Sequence, residues 1–148
     1  MDQPIISDAK KRVTINREFQ FPLKNSKGIE LSKIKYTVES AELRSEILLK
    51  GKKASAVSGR IFFIVNVKIT NEFNQSIEIN SKDYVRVVVA GKEEELLAAD
   101  INNDPVKVQP ISTKYTRLGF PVNDSDKEFK VKIGEINGEK QDIEIKFK

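Results

Sequence analysis

The sequence contains no cysteine, no histidine and no tryptophan, and these absences exclude many classes of function. Without cysteine there is no disulfide framework, no thiol nucleophile and no thiolate metal site. Without histidine, the usual zinc sites and the Ser-His and Cys-His nucleophilic pairs are also excluded. The enzymes that remain use paired carboxylates, a serine–lysine pair or a hard metal held by oxygen ligands. A non-enzyme without a cofactor is therefore the leading hypothesis.

Long apolar runs are also absent from the sequence. No stretch approaches the roughly 18–20 apolar residues that a membrane-spanning helix requires. The opening residues, MDQPIISDAKKR, lack the apolar run of about 7–15 residues that is typical of a secretory signal. We therefore expect a cytosolic protein, or a mature or trimmed piece of an exported one.

The length of 148 residues is typical of one domain. Residues 1–11 have no periodic pattern and are predicted to form a flexible N-terminal tail, which leaves residues 12–148 as a single domain. The tail ends in a basic run, Lys10 to Arg12. Three charges without a basic helix or neighbouring aromatic residues are weak evidence for nucleic-acid binding, and no nucleic-acid partner is expected.

Residues 60–71, RIFFIVNVKITN, are the most apolar stretch of the chain. Side chains of a β-strand alternate between its two faces, so five large apolar residues of this stretch share one face. The opposite face is apolar at Phe62 and Ile64 but polar from Asn66 onwards. This pattern predicts a central strand with one face in the core and the other covered over only half its length.

Further alternating segments lie on both sides of this strand and are separated by turn residues. Residues 39–50 fit a short helix or a bulged strand, and the strand is preferred because no clean helical stripe is present. Residues 51–59, GKKASAVSG, are predicted to form a flexible loop. Residues 93–99 fit a helical turn or a strand that would bury Leu96 and Leu97. The whole pattern predicts an all-β protein, an immunoglobulin-like antiparallel β-sandwich of about seven to nine strands.

Several segments resemble the DUF4352 type of bacterial and archaeal immunoglobulin-like domain, a family of unassigned function that is common on exported lipoproteins. The resemblance covers roughly residues 32–134 and is carried by residues 60–71, 74–79, 83–87 and 117–122, the last reading RLGFPV. In that family a lipidated cysteine usually precedes the domain, whereas this chain has none. The resemblance implies an extracytoplasmic, non-catalytic binding or interaction domain.

Asp100, Asn102 and Asp104 have the D-x-N-x-D spacing that can place oxygen ligands around calcium. A calcium loop of this type has glycine at its sixth position and a bidentate glutamate at its twelfth, where this chain has Pro105 and Ile111. The alternative is a turn in which the Asx side chains bond the local backbone. The candidate metal site is therefore Asp100, Asn102 and Asp104, with calcium-dependent adhesion as the function it would serve.

Two further kinds of site depend on carboxylates or on exposed aromatic rings. Glu93, Glu94 and Glu95 are three adjacent carboxylates, which fit either an acid/base or cation site or a solvated face. Together with Asp100 and Asp104 they define the rival enzyme hypothesis. Carbohydrate-binding sandwiches usually stack sugars on exposed aromatic rings, and the candidates here are the three tyrosines, Tyr36, Tyr84 and Tyr115.

The leading functional hypothesis is a non-catalytic extracytoplasmic module that binds a protein partner or has a structural role. A carbohydrate-binding or calcium-dependent adhesion module is the alternative among binding proteins, and a carboxylate or metal-dependent enzyme is the alternative from another class. The sequence does not identify the partner or the oligomeric state.

Overall fold

The computed structural model describes residues 5–148, which form eleven β-strands and one turn of 3-10 helix. All of the strand pairs are antiparallel, so the predicted all-β, antiparallel sandwich is confirmed. The strands outnumber the expected seven to nine because several are only three or four residues long. Among the described residues, no helix has the length and apolarity needed to cross a membrane.

In chain order the elements are β1 (Lys11–Lys24), β2 (Glu30–Arg44), β3 (Glu46–Leu49), β4 (Lys52–Ser55), β5 (Arg60–Asn71), β6 (Ile77–Ile79), the 3-10 helix (Ser81–Tyr84), β7 (Val85–Val89), β8 (Val106–Val108), β9 (Ser112–Asn123), β10 (Glu128–Ile133) and β11 (Gln141–Lys146). One sheet has the order β1-β2-β5-β9 and the other β11-β10-β7, while β3-β4 and β6-β8 form two small sheets.

Strand β5 has the predicted bounds and lies inside the larger sheet, hydrogen-bonded to β2 on one side and β9 on the other. Its inward row is fully or almost fully buried: Ile61, Phe63, Val65, Val67 and Ile69. On the outward face Ile64 is also buried and Phe62 is half-buried, whereas Asn66 and the residues beyond it are partly exposed. The predicted cover over the apolar half of this outer face is therefore confirmed at Ile64 but not at Phe62, which is only half-buried, as Asn66 is.

The two larger sheets meet through aromatic rings. Phe63 of β5 stacks on Phe129 of β10 with ring centroids 4.2 Å apart and planes 15° from parallel. Phe147 meets both of these rings edge-on, at 6.1 and 6.0 Å, and Phe120 of β9 lies 6.1 Å from Phe63. These contacts hold the inner faces of the two sheets together as one core.

The β3–β4 hairpin covers the apolar half of the outer face of the larger sheet. Arg117 of β9 donates a hydrogen bond to the Leu48 carbonyl of β3, and Ile47 is fully buried although it lies outside the main core cluster. The predicted flexible loop over residues 51–59 is wrong in its first half, which contains β4. The cause is the Lys50–Gly51 turn, whose two residues have φ of 50° and 79°, as a two-residue type I′ hairpin requires.

Residues 39–50 are β-structure, as predicted. The register of β2 against β5 shifts between Val38 and Ser40, and this bulge reverses which side chains face inward. Before it Ile34, Tyr36 and Val38 are buried, and after it Ala41 and Leu43 are buried instead. The irregular apolar spacing therefore reflects a bulge rather than a helix.

The segment that follows β7 connects the edges of the two sheets. Leu97 pairs with Val87 of β7, and Ile101 pairs with Gly119 of β9. At Gly119 an added Cβ would lie 2.8 Å from the Cβ of Ile101, so only glycine permits this approach. Leu97 packs partly buried against the core, but Leu96 is exposed, so the expectation that both leucines are buried is wrong for Leu96.

The N-terminal tail predicted over residues 1–11 is described only in part, since residues 1–4 lie outside the described range. The Ser7 amide donates to the Glu46 carboxylate at 3.2 Å, and the Ser7 carbonyl accepts from Arg44 at 3.0 Å. The Lys10 amide donates to the Leu43 carbonyl at 2.8 Å, and β1 begins at Lys11. The flexibility of the tail stays a prediction.

We expect Phe63→Ala to lower the free energy of unfolding by about 3–5 kcal/mol, the range for removing a large core side chain. The ring lies at the junction of the two sheets and contacts three other phenylalanines. Lys68→Ala on the outer face of the same strand is the matched control and should change stability by less than about 0.5 kcal/mol. Urea unfolding of both variants measures the difference, and equal effects would contradict the assignment of the core.

Candidate functional site

The proposed calcium ligand Asp104 is occupied by backbone and hydroxyl donors of the 3-10 helix. Its Oδ1 accepts from the Ser81 amide at 2.9 Å and from the Ser81 hydroxyl at 2.5 Å, and its Oδ2 accepts from the Lys82 amide at 2.8 Å. The carboxylate therefore caps the 3-10 helix from another part of the chain, satisfying amides that have no partner within the helix.

Of the other two proposed ligands, Asn102 bonds to the local backbone and Asp100 is exposed. The Asn102 side chain donates to the Ala99 carbonyl at 3.1 Å and accepts from the Asp104 amide at 3.1 Å, which is the alternative Asx-turn arrangement. Asp100 is exposed. Within residues 5–148 no group of three or more carboxylate, histidine or cysteine side chains is placed to hold a metal ion. Calcium binding stays a prediction.

Glu93, Glu94 and Glu95 all lie exposed in a turn after β7. The Gly91 amide donates to the Glu93 carboxylate at 3.1 Å, and this hydrogen bond lowers the pKa of the Glu93 carboxyl. The arrangement is that of a solvated acidic turn.

The three tyrosines have different environments. Tyr36 is fully buried and donates a hydrogen bond to the Ser81 carbonyl at 3.0 Å. Tyr84 is half-buried and packs against Phe21 and Tyr36, with centroids 4.6 and 5.5 Å away. Tyr115 is 66% exposed on the outer face of the larger sheet. Of the three, only Tyr115 presents an open ring to a ligand.

Beside Tyr115 lies a polar pocket of about 340 Å³ on the outer face. At its base the Glu42 side chain is only 5% exposed and accepts from Asn66 at 2.7 Å and from Arg44. Arg12 lies 3.3 Å from the same carboxylate. Sequence reasoning missed this cluster because Glu42 faces outward only after the β2 bulge, whose position the sequence pattern did not fix.

The largest groove, of about 620 Å³, lies at the end of the sandwich where β1 ends and β10 turns into β11. We call this end the basal end; it is defined by the row Phe21, Ile34, Asn71 and Ser112 across the larger sheet. Leu23, Tyr84 and Ile136 are among the apolar residues that line the groove. Its carboxylates are Glu78, Asp83 and Glu135.

Exposed apolar side chains are concentrated at the same end. Of eight exposed large hydrophobic residues in the described part of the chain, the basal end holds Ile29, Leu31, Ile111 and Ile136. Ile29 and Leu31 lie where β2 begins, Ile111 immediately precedes β9, and Ile136 lies in the β10–β11 turn. Ile29 and Leu31 are two residues apart, but several strands separate this pair, Ile111 and Ile136 from one another in the sequence, so no local pattern could have joined them.

Two solved structures are similar to this chain over almost its whole length. A conserved hypothetical protein from Bacillus anthracis is 15% identical with a TM-score of 0.62, covering 92% of this chain and 98% of that one. An uncharacterized β-sandwich protein from Clostridium difficile 630 is 18% identical with a TM-score of 0.63, covering 97% and 100%. At these identities the likeness shows the β-sandwich fold alone. No family model and no curated protein matches the sequence.

We expect Asp104→Ala to lower the free energy of unfolding by about 2–3 kcal/mol, because it leaves charge-assisted hydrogen bonds of the 3-10 helix unmade. Asp100→Ala, at an exposed position, is the control and should be close to neutral. Thermal melts of the wild-type protein with and without millimolar calcium belong to the same experiment. A melting temperature unchanged by calcium would dispose of the calcium hypothesis.

We expect alkaline pH to destabilise the fold through Tyr36. Burial first, and then the negative charge of Asp104, raises the pKa of Tyr36 well above its usual value. A raised folded-state pKa contributes stability that is present in full below the unfolded value of about 10 and is lost as the pH rises through the folded pKa.

Tyr36→Phe tests this expectation. The variant should lose about 1 kcal/mol at pH 7, because the hydrogen bond to Ser81 is gone, yet it should be less sensitive to pH above about 10. Urea unfolding between pH 7 and 11 measures both effects, with Tyr115→Phe as the exposed control. If wild type and Tyr36→Phe lose the same amount of stability between pH 7 and 11, a group other than Tyr36 is responsible.

Proposed function

We propose that this chain is a non-catalytic module that binds a protein partner through its basal end. The observation that carries the proposal is that Ile29, Leu31, Ile111 and Ile136, all exposed, belong to turns and strand ends at the same end of the sandwich. Burying apolar surface contributes about 25 cal/mol of favourable free energy per Å², so apolar side chains left in water lose this stabilisation. Exposed apolar residues that lie together mark interaction sites more often than scattered ones do.

The backbone at Ile111 supports the same proposal. Ile111 is 70% exposed and has φ of 51°, a left-handed conformation that costs a β-branched residue about 1–2 kcal/mol relative to the usual regions. Its amide is held by the Phe73 carbonyl at 3.2 Å. A strained residue that presents an apolar side chain to solvent is typical of a binding loop.

The proposed location is extracytoplasmic. It rests on the resemblance of residues 60–71 and 117–122 to DUF4352-type domains, which are common on exported lipoproteins. A module of this kind would work as an interaction or structural domain outside the membrane of a prokaryotic cell. The rival carboxylate enzyme is less well supported, because both carboxylate oxygens of Asp104 already accept hydrogen bonds from the 3-10 helix.

Carbohydrate binding is the second candidate function, and one observation favours it. Tyr115 is exposed beside the outer-face pocket, where Asn66, Ser40 and Glu42 offer polar groups. An open aromatic ring next to such groups fits a sugar ring that stacks and hydrogen-bonds at once. A glycan array probed with wild type and Tyr115→Ala separates the two functions, because only glycan binding that is lost in the variant supports this candidate.

We expect the triple variant Ile29→Ser, Ile111→Gly, Ile136→Ser to lose partner capture from the source organism while staying folded. Ile111→Gly removes the side chain and also relieves the backbone, since glycine adopts positive φ readily. The measurement is quantitative mass spectrometry of proteins retained by the immobilised domain.

The matched control is Val57→Ser, at an exposed position before β5 at the opposite end of the sandwich. The proposal is supported if a protein is retained by wild type and by Val57→Ser but is lost with the triple variant. The circular dichroism and the melting temperature of the triple variant must also match those of wild type, which shows that it is folded. Retention of the same proteins by all three forms would contradict it.

A further inference from the structure

The basal groove combines apolar walls with unpaired negative charge. Glu78, Asp83 and Glu135 line it together with a single lysine, Lys24. In the described part of the chain none of these three carboxylates forms a salt bridge. The groove is thus locally acidic in a protein whose net charge is +4.

The negative charge is directed toward the aromatic side of the groove. Tyr84 is a lining residue, and its hydroxyl pKa is raised first by burial and then by the charges of Glu135 and Asp83. Asp83 lies in the 3-10 helix and Glu135 in the β10–β11 turn, so the groove receives a carboxylate from each of these two elements. Lys140 is not a lining residue, and its ammonium donates to the carbonyls of Glu135 and Ile136, at 3.0 and 3.1 Å.

We infer that this groove receives an extended segment of the partner protein that carries lysine or arginine next to an apolar side chain. The apolar side chain would pack against Leu23 and Ile136, and the cation would lie between Asp83 and Glu135, near Tyr84. Long basic side chains suit such a groove because their methylene stems cover apolar walls while the charged end stays wet. The inference rests on the proposed function, whose basal surface includes Ile136.

A binding experiment with defined peptides tests this charge preference. The probes are two heptapeptides with serine at both ends, in which valine and leucine alternate with a charged residue. The charged residue is lysine in one peptide and glutamate in the other. Amide chemical shifts of the isotope-labelled protein report binding at each residue. We expect the lysine peptide to shift amides of residues 78–84 and 134–138, with an affinity that weakens as salt is added, and the glutamate peptide to leave them unchanged.

The variant Asp83→Asn, Glu135→Gln should weaken the lysine peptide about fivefold, as the loss of two exposed charge pairs implies. Its matched control is Glu93→Gln, Glu94→Gln, which neutralises two exposed carboxylates outside the groove. Equal binding of both peptides, shifts spread over the whole surface, or an unchanged affinity in the groove variant would overturn the inference. So would a concentration-dependent dimer in sedimentation that Ile136→Ser abolishes, because the occupant would then be a second copy of this chain.

The same groove variant, used in the capture experiment, separates this inference from the proposed function. If the partner is lost with the triple apolar variant but retained with full affinity by Asp83→Asn, Glu135→Gln, the protein-binding function stands and the basic-segment inference fails. If neither variant changes capture, both fail. If both variants weaken capture and the lysine peptide competes with the partner, both are supported.

Discussion

The burial of one row of β5 between two sheets is the constraint on which the rest of this structure depends. Five alternating apolar side chains of β5 lie inward, and Phe63 stacks on Phe129 of the opposite sheet. Because β5 has hydrogen-bonded neighbours on both sides, the same strand sets the register of the larger sheet and the position of its turns. The basal end lies where β5 ends and where β2 and β9 begin.

The core is connected to the basal end through a buried polar chain. Tyr36 of β2 donates to the Ser81 carbonyl, and the Ser81 amide and hydroxyl donate to Asp104. These bonds fix the 3-10 helix that supplies Asp83 and Tyr84 to the groove. A buried hydroxyl or carboxylate without its partners would cost more than it contributes. The site residues are thus held by groups whose own role is structural.

Much of the fold could be predicted from the sequence, because alternation of apolar and polar residues is a local property of the chain. It placed β5 at residues 60–71 and favoured a bulged strand over residues 39–50. It failed at β4, where the Lys50–Gly51 turn rather than apolar alternation creates the hairpin. The alternation pattern also gave a wrong expectation for Leu96. The segment around Leu96 and Leu97 has no regular period, so the sequence could not show that Leu96 is exposed while Leu97 is half-buried.

The candidate site is a different matter, because it is assembled from turns that are distant in the chain. The sequence by itself determined that centres built on cysteine or histidine are absent, and it determined which residues face the core. Only the tertiary structure brought Ile29, Ile111 and Ile136 to one end and Glu78, Asp83 and Glu135 around one groove. The physical reason is that strand pairing, which is non-local, decides which turns become neighbours.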